Sequence, residues 1–536
     1  MKGLAEVLES VSGNRLVRRA ADAVFGHYAR RRVAGLDRYP AARSQEQVLL
    51  GLVRQAAATR FGRDHGFAAI RTVADFQRRV PLRDYEAFWS EYWRTAFPQL
   101  TNSTWPGPVP YLALSSGTTT GSTKYIPVSA AMLASNRRAA LTSLAWFRAA
   151  HPDAALFSGR MFFLGGSTDL SRPDASCPRT LAGDLSGIAT REVPAVLRPY
   201  TYPPPDLALL SDWEEKLDRL VRQSAALPIT LVSGVPSWLL VLFERLRQLT
   251  GRERIAQVWP TLRVVVHGGT RFDPYQGLFR RLVGDGVHFL ETYPASEGFV
   301  AAEDPRHGLL RLIPDHGVFF EFVPVGELGR DRPTRHAVAD VVPGVQYAVV
   351  LTTCAGLWGY VLGDTVCFER RDPPLLRFTG RARQYLSAFG EHLIGEEVER
   401  AVAQAASAIG ADVVDFHVGP VFPDSAGVVG RHRYLVEFAR PPRDVESFTR
   451  EVDAALCRIN DDYRAHRAGD LTLQGPEIVT VRRGGFAEWM RSRGKLGGQH
   501  KVPRLDNSGR LTEELTGWFR GKADGPRAGI SEAGVS

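Results

Sequence analysis

Short apolar runs alternate with amphipathic segments over residues 109–375, and this alternation constrains the fold more than any other feature of the chain. The segments SAAMLASNRRAALTSLAWFRAA and PSWLLVLFERLRQLT have helical spacing. The apolar runs have the length and the β-branched and aromatic content of strands: MFFLGG, ITLVSGV, LRVVVHGG, VHFLETY, VFFEFVPV and YAVVLTT. Strands that alternate with helices in this way predict an α/β domain.

The two ends of the chain have different patterns. Residues 1 to about 100 show helical periodicity, as in SQEQVLLGLVRQAA, for which Ser44 is the predicted N-cap. Between Thr379 and Gly390, glycine and arginine interrupt the apolar pattern, and the helices and strands that follow are typical of a compact α+β unit. We therefore predict a large domain at residues 1–380, a small domain at residues 381–520 and a disordered tail at residues 521–536.

The composition excludes several classes of protein. The net charge is +9, but the 67 basic residues are interleaved with 58 acidic ones and form no basic tail, so we expect no nucleic-acid partner. The four cysteines fit neither a zinc site nor a disulfide scaffold. No apolar run approaches the roughly 18 residues that span a bilayer, and the N-terminus resembles no export signal. We expect a cytoplasmic monomer without a membrane partner.

A loop rich in hydroxyl groups joins two strand-like segments, VPYLAL and KYIPV. From Leu114 to Lys124 it reads LSSGTTTGSTK, and its hydroxyls and glycine-flanked N–H groups can bind a polyphosphate, to which Lys124 adds a positive charge. The P-loop motif is excluded, because three residues rather than four separate the glycines and an extended segment follows instead of a helix. The alternative is a solvated linker, which the strand-like flanks disfavour.

Two further segments place polar residues at predicted strand ends. In VVVHGGT, Gly268 and Gly269 would let a flat adenine ring approach the backbone, although strands commonly end in glycine. ETYPASEG presents Thr292, Tyr293, Ser296 and Glu297 where open α/β sheets bind ligands, and the Glu297 carboxylate suits Mg2+. The alternative for that segment is a surface turn at Pro294.

Two more segments complete the series. LWGYVLGD is predicted to be a strand that stops at Gly363 and Asp364, where a carboxylate could accept both hydroxyls of a ribose. GKLGGQHKVPR carries Lys495 and Lys501 on a glycine-rich loop, which could bring a cation to a reacting carboxylate and phosphate. Alone, the first could be an ordinary strand end and the second a solvated basic loop.

In this order the segments resemble the nucleotide-binding motifs of adenylate-forming enzymes. SSGTTTGSTKYIPV, YPASE and YVLGD are similar to the SSGTS, YxSSE and YRVGD motifs of the auxin-responsive acyl-acid amido synthetases, the Gretchen Hagen 3 family. The resemblance extends over residues 25–520 and includes TRFGRDHGF, DFQRRVPLRDYE, SGVPSWLLVLFE, LTTCAGLWGYVLGD and HKVPR. It implies a large N-terminal adenylate-forming domain with β-sheets and flanking helices, followed by a small, mobile α+β domain.

The resemblance also implies roles for individual residues. It implies that Glu297 binds the metal or the phosphates, that Asp364 binds the ribose and that Lys501 is catalytic. Two positions depart from the family, because His392 stands where plant members have a lysine and Val361 where they have an arginine. The phosphate-binding residues would be Ser115, Ser116, Gly117, Thr118 and Thr119, and Lys124, Gly268, Gly269, Thr292, Tyr293, Ser296 and His392 would complete the nucleotide site.

The implied reaction uses ATP and Mg2+ in two steps. A carboxylic acid attacks the α-phosphate and releases pyrophosphate, and an amine, expected to be an amino acid, then forms an amide and releases AMP. Two alternatives stay open, namely an acyl-CoA or carrier-protein ligase that uses the same adenylate and a catalytically silent nucleotide-binding relative. Five aromatic residues suggest an apolar or aromatic acid: Trp146, Phe147, Phe162, Phe163 and Trp238.

Overall fold

The computed structural model describes two compact units. The described residues are 14–116, 123–165, 170–174, 179–210, 213–268, 272–381, 385–386, 388–389, 391, 393–422, 430–460, 463–464, 467, 473–493, 502–506 and 508–523. The large unit comprises residues 14–272 and 276–381, and the main body of the small unit lies within residues 385–523.

Twelve α-helices are described before residue 381, and the first of them begins at an asparagine cap. Asn14 accepts a hydrogen bond from the backbone N–H of Leu16 at 2.8 Å. The helices are α1 (Arg15–Arg38), α2 (Ala41–Ala56), α3 (Arg60–Asp64), α4 (Val73–Arg79), α5 (Tyr85–Phe88), α6 (Ala130–Ala150), α7 (Leu185–Arg191), α8 (Pro205–Ala208), α9 (Trp213–Ser224), α10 (Pro236–Thr250), α11 (Ile255–Val258) and α12 (Asp273–Val283).

The predicted cap at Ser44 is wrong. Helix α2 begins at Ala41 with Pro40 as its N-cap, so Ser44 lies inside the helix. Proline suits this cap because its fixed φ fits the extended conformation there (φ −57°, ψ 131°), and the N–H that it lacks would have no partner within the helix. By contrast, α6 begins where a serine caps it, since Ser129 Oγ accepts from the backbone N–H of Met132 at 3.0 Å.

The strands of the large unit form two sheets. They are β1 (Tyr111–Ser116), β2 (Thr123–Val128), β3 (Arg160–Phe163), β4 (Leu181–Gly183), β5 (Thr201–Tyr202), β6 (Ile229–Gly234), β7 (Val264–Gly268), β8 (His288–Ala295), β9 (Gly298–Asp304), β10 (Leu309–Leu312), β11 (Val318–Pro324), β12 (Gln346–Thr353), β13 (Tyr360–Arg370) and β14 (Leu375–Arg381). A three-stranded sheet has the order β2-β1-β4, and an eleven-stranded sheet has the order β11-β12-β13-β14-β10-β9-β8-β7-β6-β3-β5.

The eleven-stranded sheet is parallel in one half and antiparallel in the other. Strands β5, β3, β6, β7 and β8 run parallel to one another, whereas each pairing from β8 to β11 is antiparallel. The predicted α/β class of this unit is therefore confirmed. The carboxyl ends of β7 and β8 lie at the same edge, which is where ligands of such sheets bind.

The small unit is an α+β structure, as predicted. It contains β15 (Tyr385–Leu386), β16 (Leu393–Ile394), α13 (Gly395–Ile409), β17 (Asp412–Val421), β18 (Arg431–Arg440), α14 (Val445–Ile459), β19 (Glu477–Val481), α15 (Gly485–Ser492) and α16 (Arg510–Ala523). Strand β18 is central, antiparallel to β17 and parallel to β19. The last helix ends at Ala523, and residues 524–536 of the predicted tail lie outside the described residues.

None of the helices in the described part of the chain is long and apolar enough to cross a bilayer.

Candidate active site

The hydroxyl-rich loop is closed at its base by a two-stranded hairpin. Ser115 pairs with Lys124, and Ser116 pairs with Thr123, across the antiparallel strands β1 and β2. Both flanking segments are thus strands, as predicted. The predicted phosphate contacts of Gly117, Thr118, Thr119 and the Ser116 side chain lie outside the described residues.

Lys124 lies beside an aromatic ring at this base. Its Nζ atom is 5.6 Å from the centroid of the Tyr85 ring, within the range of a cation–π interaction. The Tyr85 phenol oxygen accepts a hydrogen bond from the backbone N–H of Tyr125 at 3.0 Å. Burial raises the pKa of Tyr85 to about 12, so the ring beneath the ammonium is a neutral phenol.

Gly268 lies at a close contact between β7 and β8. It pairs with Thr292, whose Oγ1 donates to the carbonyl oxygen of His267 at 3.1 Å. A Cβ atom at Gly268 would lie 2.2 Å from the Thr292 carbonyl oxygen, a distance that no side chain permits. The glycine is therefore required by strand packing, which is a reason distinct from the predicted approach of an adenine ring. Gly269 lies outside the described residues.

The segment YPASE forms a β-hairpin tip between β8 and β9. Pro294 lies within β8 opposite Phe299, so the alternative of a surface turn at Pro294 is wrong. The turn falls on Ser296 and Glu297, each of which is only 8% exposed. The strand continues through the proline because a register shift between Tyr293 and Pro294 interrupts the ladder there.

The segment YVLGD forms a β-bulge, and the prediction that the strand stops at Gly363 and Asp364 is wrong. Strand β13 continues to Arg370. Val361 pairs with Val350 and Thr365 with Ala348, so three residues of β13 stand opposite one residue of β12. Gly363 has a φ of 85°, which only glycine adopts readily, and the bulge re-aims the next side chain, that of Asp364.

These two segments exchange hydrogen bonds between their tyrosines and their carboxylates. Tyr293 Oη donates to Asp364 Oδ2 at 2.8 Å, and Tyr360 Oη donates to Glu297 Oε1 at 3.3 Å. Burial, with the nearby Glu297 carboxylate, raises the pKa of Tyr360 well above its usual value, so this phenol stays a donor. The exchange brings together Tyr293, Glu297 and Asp364, which the sequence predicted as site residues.

Tyr360 is a residue of this arrangement whose role the sequence analysis missed. A signal was present, because each segment has a tyrosine four positions before its carboxylate. Single-sequence reasoning assigned Tyr360 to an aromatic strand. The pairing across the sheet, which joins residues 63 and 71 positions apart, depends on strand order and could not be read from local pattern.

Three of the five aromatic residues proposed for an acid pocket belong to the core. Trp146, Phe147 and Phe162 are 0% exposed, so that prediction is wrong for them. Their rings pack against neighbours that include Arg311, His151 and Tyr202. Phe163 is 42% exposed and Trp238 is half-buried, so these two side chains remain accessible.

Lys501 and His392 lie outside the described residues, but the chain next to each is firmly held within the small unit. After Lys501, the Pro503 carbonyl oxygen lies 2.6 Å from His417 Nδ1, and the carbonyl oxygen of Arg504 accepts from the backbone N–H of Val418 at 2.9 Å. Before His392, the Glu391 carboxylate lies 2.8 Å from His432 Nε2 and accepts from the backbone N–H of Phe389 at 2.9 Å.

Comparison with known families gives matches to three consecutive domain models. The GH3 family N-terminal domain matches residues 37–174, the GH3 family central domain matches residues 311–381, and the GH3 family C-terminal domain matches residues 396–510. Together they cover more than half of the chain. The chain belongs to the GH3 family. The central model includes Asp364 and Tyr360, and the N-terminal model includes the hydroxyl-rich loop.

Curated relatives of this GH3 chain carry the names of amido synthetases. The probable indole-3-acetic acid-amido synthetase GH3.1 of Oryza sativa subsp. japonica is 26% identical over 565 residues, which cover 91% of this chain and 91% of that protein. The jasmonoyl-L-amino acid synthetase GH3.5 of the same organism is 27% identical over 278 residues, which cover 47% of each protein.

Solved structures confirm the adenylate-forming fold that the sequence predicted. The GH3.15 acyl acid amido synthetase superposes with a TM-score of 0.75 at 20% identity, covering 91% of this GH3 chain and 95% of that one. A 2-hydroxyisobutyryl-CoA ligase in the postadenylation state superposes with a TM-score of 0.59 at 13% identity, covering 91% and 94% respectively. At these identities the likeness concerns the fold.

Proposed function

We propose that this GH3 chain is an ATP-dependent acyl acid amido synthetase, a ligase that adenylates a carboxylic acid and transfers the acyl group to an amine. The observation that carries this proposal is the exchange of hydrogen bonds between YPASE and YVLGD. It fixes two buried carboxylates, those of Glu297 and Asp364, beside each other's tyrosine. Relatives with the same family domains are named for joining indole-3-acetic acid or jasmonate to amino acids.

The arrangement fits MgATP. Asp364 has acceptor oxygens for the ribose hydroxyls, and Tyr293 holds its carboxylate in one orientation. Glu297 offers a carboxylate oxygen, and Mg2+ characteristically takes one or two carboxylates together with phosphate oxygens and water. When bound, the metal would stabilise negative charge on the phosphates. The pairing of Ser115 with Lys124 at the hairpin base supports the proposal that the loop between them binds the polyphosphate.

In the first step, a carboxylate oxygen of the acid attacks the α-phosphorus of ATP and pyrophosphate leaves. Positive charge and N–H or O–H donors lower the barrier because charge develops on the phosphoryl oxygens. We assign this role to Lys501, Lys124 and the loop residues Ser116, Thr118 and Thr119. In the second step, an amine attacks the acyl carbonyl and AMP leaves with the bridging oxygen.

We further propose a division of labour between the two units. The large unit, residues 1–380, binds the nucleotide and the acid, and the small unit, residues 381–520, supplies Lys501 and His392. Pro503 and Arg504, which follow Lys501 in the chain, are held by hydrogen bonds within the small unit. The substrates are a small carboxylic acid with an apolar body, for which Phe163 and Trp238 are accessible contacts, and an amino acid or another amine.

Pyrophosphate release over a panel of carboxylic acids tests the proposal, with hydroxylamine, amino acids and CoA as acceptors. We expect acid-dependent release of pyrophosphate and amide formation with amino acids. Asp364→Asn should impair adenylation at least tenfold, whereas Asp331→Asn, at an exposed position, should not. Turnover with CoA alone would identify an acyl-CoA ligase, and no acid-dependent release from any acid would identify a silent relative.

A further inference from the structure

Asp184 occupies the same sheet edge as the hydroxyl-rich loop. It follows β4, which runs parallel to β1 with Leu181 opposite Tyr111 and Gly183 opposite Ala113. Both strands therefore end at one edge, with Asp184 one residue beyond β4 and Ser115 two residues beyond Ala113. Across this edge, a Cβ atom at Gly165, after β3, would lie 3.0 Å from Ser186, so the end of the large sheet also adjoins this place.

The carboxylate of Asp184 is half-buried and makes no side-chain hydrogen bond to any of the described residues. It precedes α7 but does not cap it, although aspartate is among the preferred capping residues. Burial raises the pKa of Asp184 to about 6. A partly desolvated carboxylate with unused acceptor capacity can accept hydrogen bonds from a ligand without losing a partner within the protein.

Among the described residues, one cationic side chain affects the pKa of Asp184. Lys216, on α9, is 1% exposed, and its Nζ donates to the Ala208 carbonyl oxygen at 2.7 Å. The positive charge of Lys216 lowers the pKa of Asp184 and so acts against the effect of burial. Burial also lowers the pKa of Lys216 itself, to about 8. Arg191 and Glu192 stand at the far end of α7. Asp184 is therefore ionised at neutral pH and titrates just below it.

We propose that Asp184 binds the amine acceptor and takes its proton during amide formation. The proposal rests on the proposed function, in which two organic substrates must be recognised beside the nucleotide. The carboxylic acid is an anion that Asp184 would repel, whereas an amino acid brings an ammonium group that a carboxylate attracts. Amide formation needs a base, and a carboxylate whose pKa lies near the working pH serves that purpose best.

The proton balance of the step is complete without a further reactant. The ammonium group bound at Asp184 first releases one proton to water, which leaves a neutral amine. The amine nitrogen then attacks the acyl carbonyl carbon of the adenylate, a C–N bond forms and the nitrogen becomes positively charged again. The Asp184 carboxylate accepts one proton from that nitrogen. The bond between the carbonyl carbon and the oxygen of AMP breaks, and AMP leaves with the electron pair. Asp184 then returns its proton to water.

A comparison of two amine acceptors, hydroxylamine and an amino acid, distinguishes a role in amide formation from a role in adenylation. Hydroxylamine is a weaker base than an amino acid and is already neutral near pH 7, so hydroxamate formation reports adenylation without the base. Asp184→Asn should lower amide formation from an amino acid by about 100-fold or more and leave ATP- and acid-dependent hydroxamate formation within about threefold of wild type. The matched control is Asp206→Asn, at an exposed position of α8, which should change neither rate.

The pH profile supplies an independent readout. In the wild type, amide formation should fall below about pH 6 as Asp184 becomes protonated, and the deficit of Asp184→Asn should shrink at alkaline pH, where the amine is neutral in solution. Equal loss of hydroxamate and amide would show a structural role, and unchanged amide formation would show no role. Either result overturns the proposal. A wild type that forms neither product would refute the proposed function itself.

Discussion

The phenol of Tyr293 donates a 2.8 Å hydrogen bond to the carboxylate of Asp364, 71 residues later in the chain. The reverse pairing joins Tyr360 to Glu297, so each of the two motifs orients the acid of the other. A carboxylate held by a buried donor loses little orientational freedom when a ligand binds. These two reciprocal hydrogen bonds explain why each motif contains a tyrosine as well as an acid.

Tyr293→Phe should weaken ATP use about tenfold, because a hydrogen bond to a charged group contributes about 1.5–3 kcal/mol. The KM for ATP in acid-dependent pyrophosphate release measures the effect. Tyr347→Phe is the matched control, since Tyr347 is also buried in this sheet and its hydroxyl accepts from the backbone N–H of Val342 at 2.9 Å. Equal KM values for the two variants would remove Tyr293 from the nucleotide site.

Glu297→Gln should raise the Mg2+ concentration required for half-maximal pyrophosphate release by at least about tenfold, because an amide oxygen is a poorer ligand for a hard cation than a carboxylate. Tyr360→Phe should shift the same midpoint less, since it removes only the orienting 3.3 Å hydrogen bond. A Mg2+ titration at saturating ATP gives both values. An unchanged midpoint in Glu297→Gln would place the metal elsewhere.

Gly268→Ala and Gly51→Ala should have opposite effects on stability. At Gly268 the new methyl would lie 2.2 Å from the Thr292 carbonyl oxygen, so unfolding should become easier by about 1–3 kcal/mol. At Gly51, within α2, nothing lies within 4 Å of the added Cβ, and alanine should stabilise the helix by about 0.5–1 kcal/mol. Denaturant titration measures the free energy of unfolding of both variants. A Gly268→Ala variant as stable as wild type would contradict the packing described for β7 and β8.

His417 should make the stability of the small unit depend on pH. Burial lowers its pKa to about 4 from an ordinary value of 6.5. As the pH falls, the unfolded chain takes up the proton first, so the contribution is complete above about pH 6.5 and is lost between about pH 6.5 and 4. Between about pH 7 and 5 the loss is about 2 kcal/mol.

Comparing His417→Gln with wild type at the two pH values isolates this contribution. The glutamine side chain has no such titration, so the variant's free energy of unfolding should fall about 2 kcal/mol less than that of wild type over the same interval. Glutamine can still donate to the Pro503 carbonyl oxygen, which His417 Nδ1 approaches to 2.6 Å. Identical pH slopes in the two proteins would show that the imidazole is not buried as described.

The sequence predicted the classes of both units and most of their elements because the evidence for these is local. Ser129 and the apolar spacing after it define α6, and the strand-like flanks of the loop are β1 and β2. Local evidence failed where long-range geometry decides. The bulge at Gly363 depends on the register with β12, and Trp146 was an open candidate until its burial against Arg311 was seen.

The site was predicted as separate motifs rather than as a geometry. Asp364 and Glu297 were assigned to the ribose and the metal, but their phenolic partners follow from a sheet order in which β13 and β8 are separated by three strands. Asp184 was missed altogether, since an aspartate between a strand and a helix looks like an ordinary cap. Only its missing capping bond and the buried Lys216 distinguish it.

The path of oxygen from acid to nucleotide tests the central claim most directly. The acid is labelled with oxygen-18 in both carboxylate positions and incubated with the protein, ATP, Mg2+ and an amino acid, and the products are weighed by mass spectrometry. If an acyl-adenylate precedes the amide, one labelled oxygen appears in AMP and the other stays in the amide. Label in inorganic phosphate, unlabelled AMP, or a thioester formed in place of an amide when CoA is present would contradict the account.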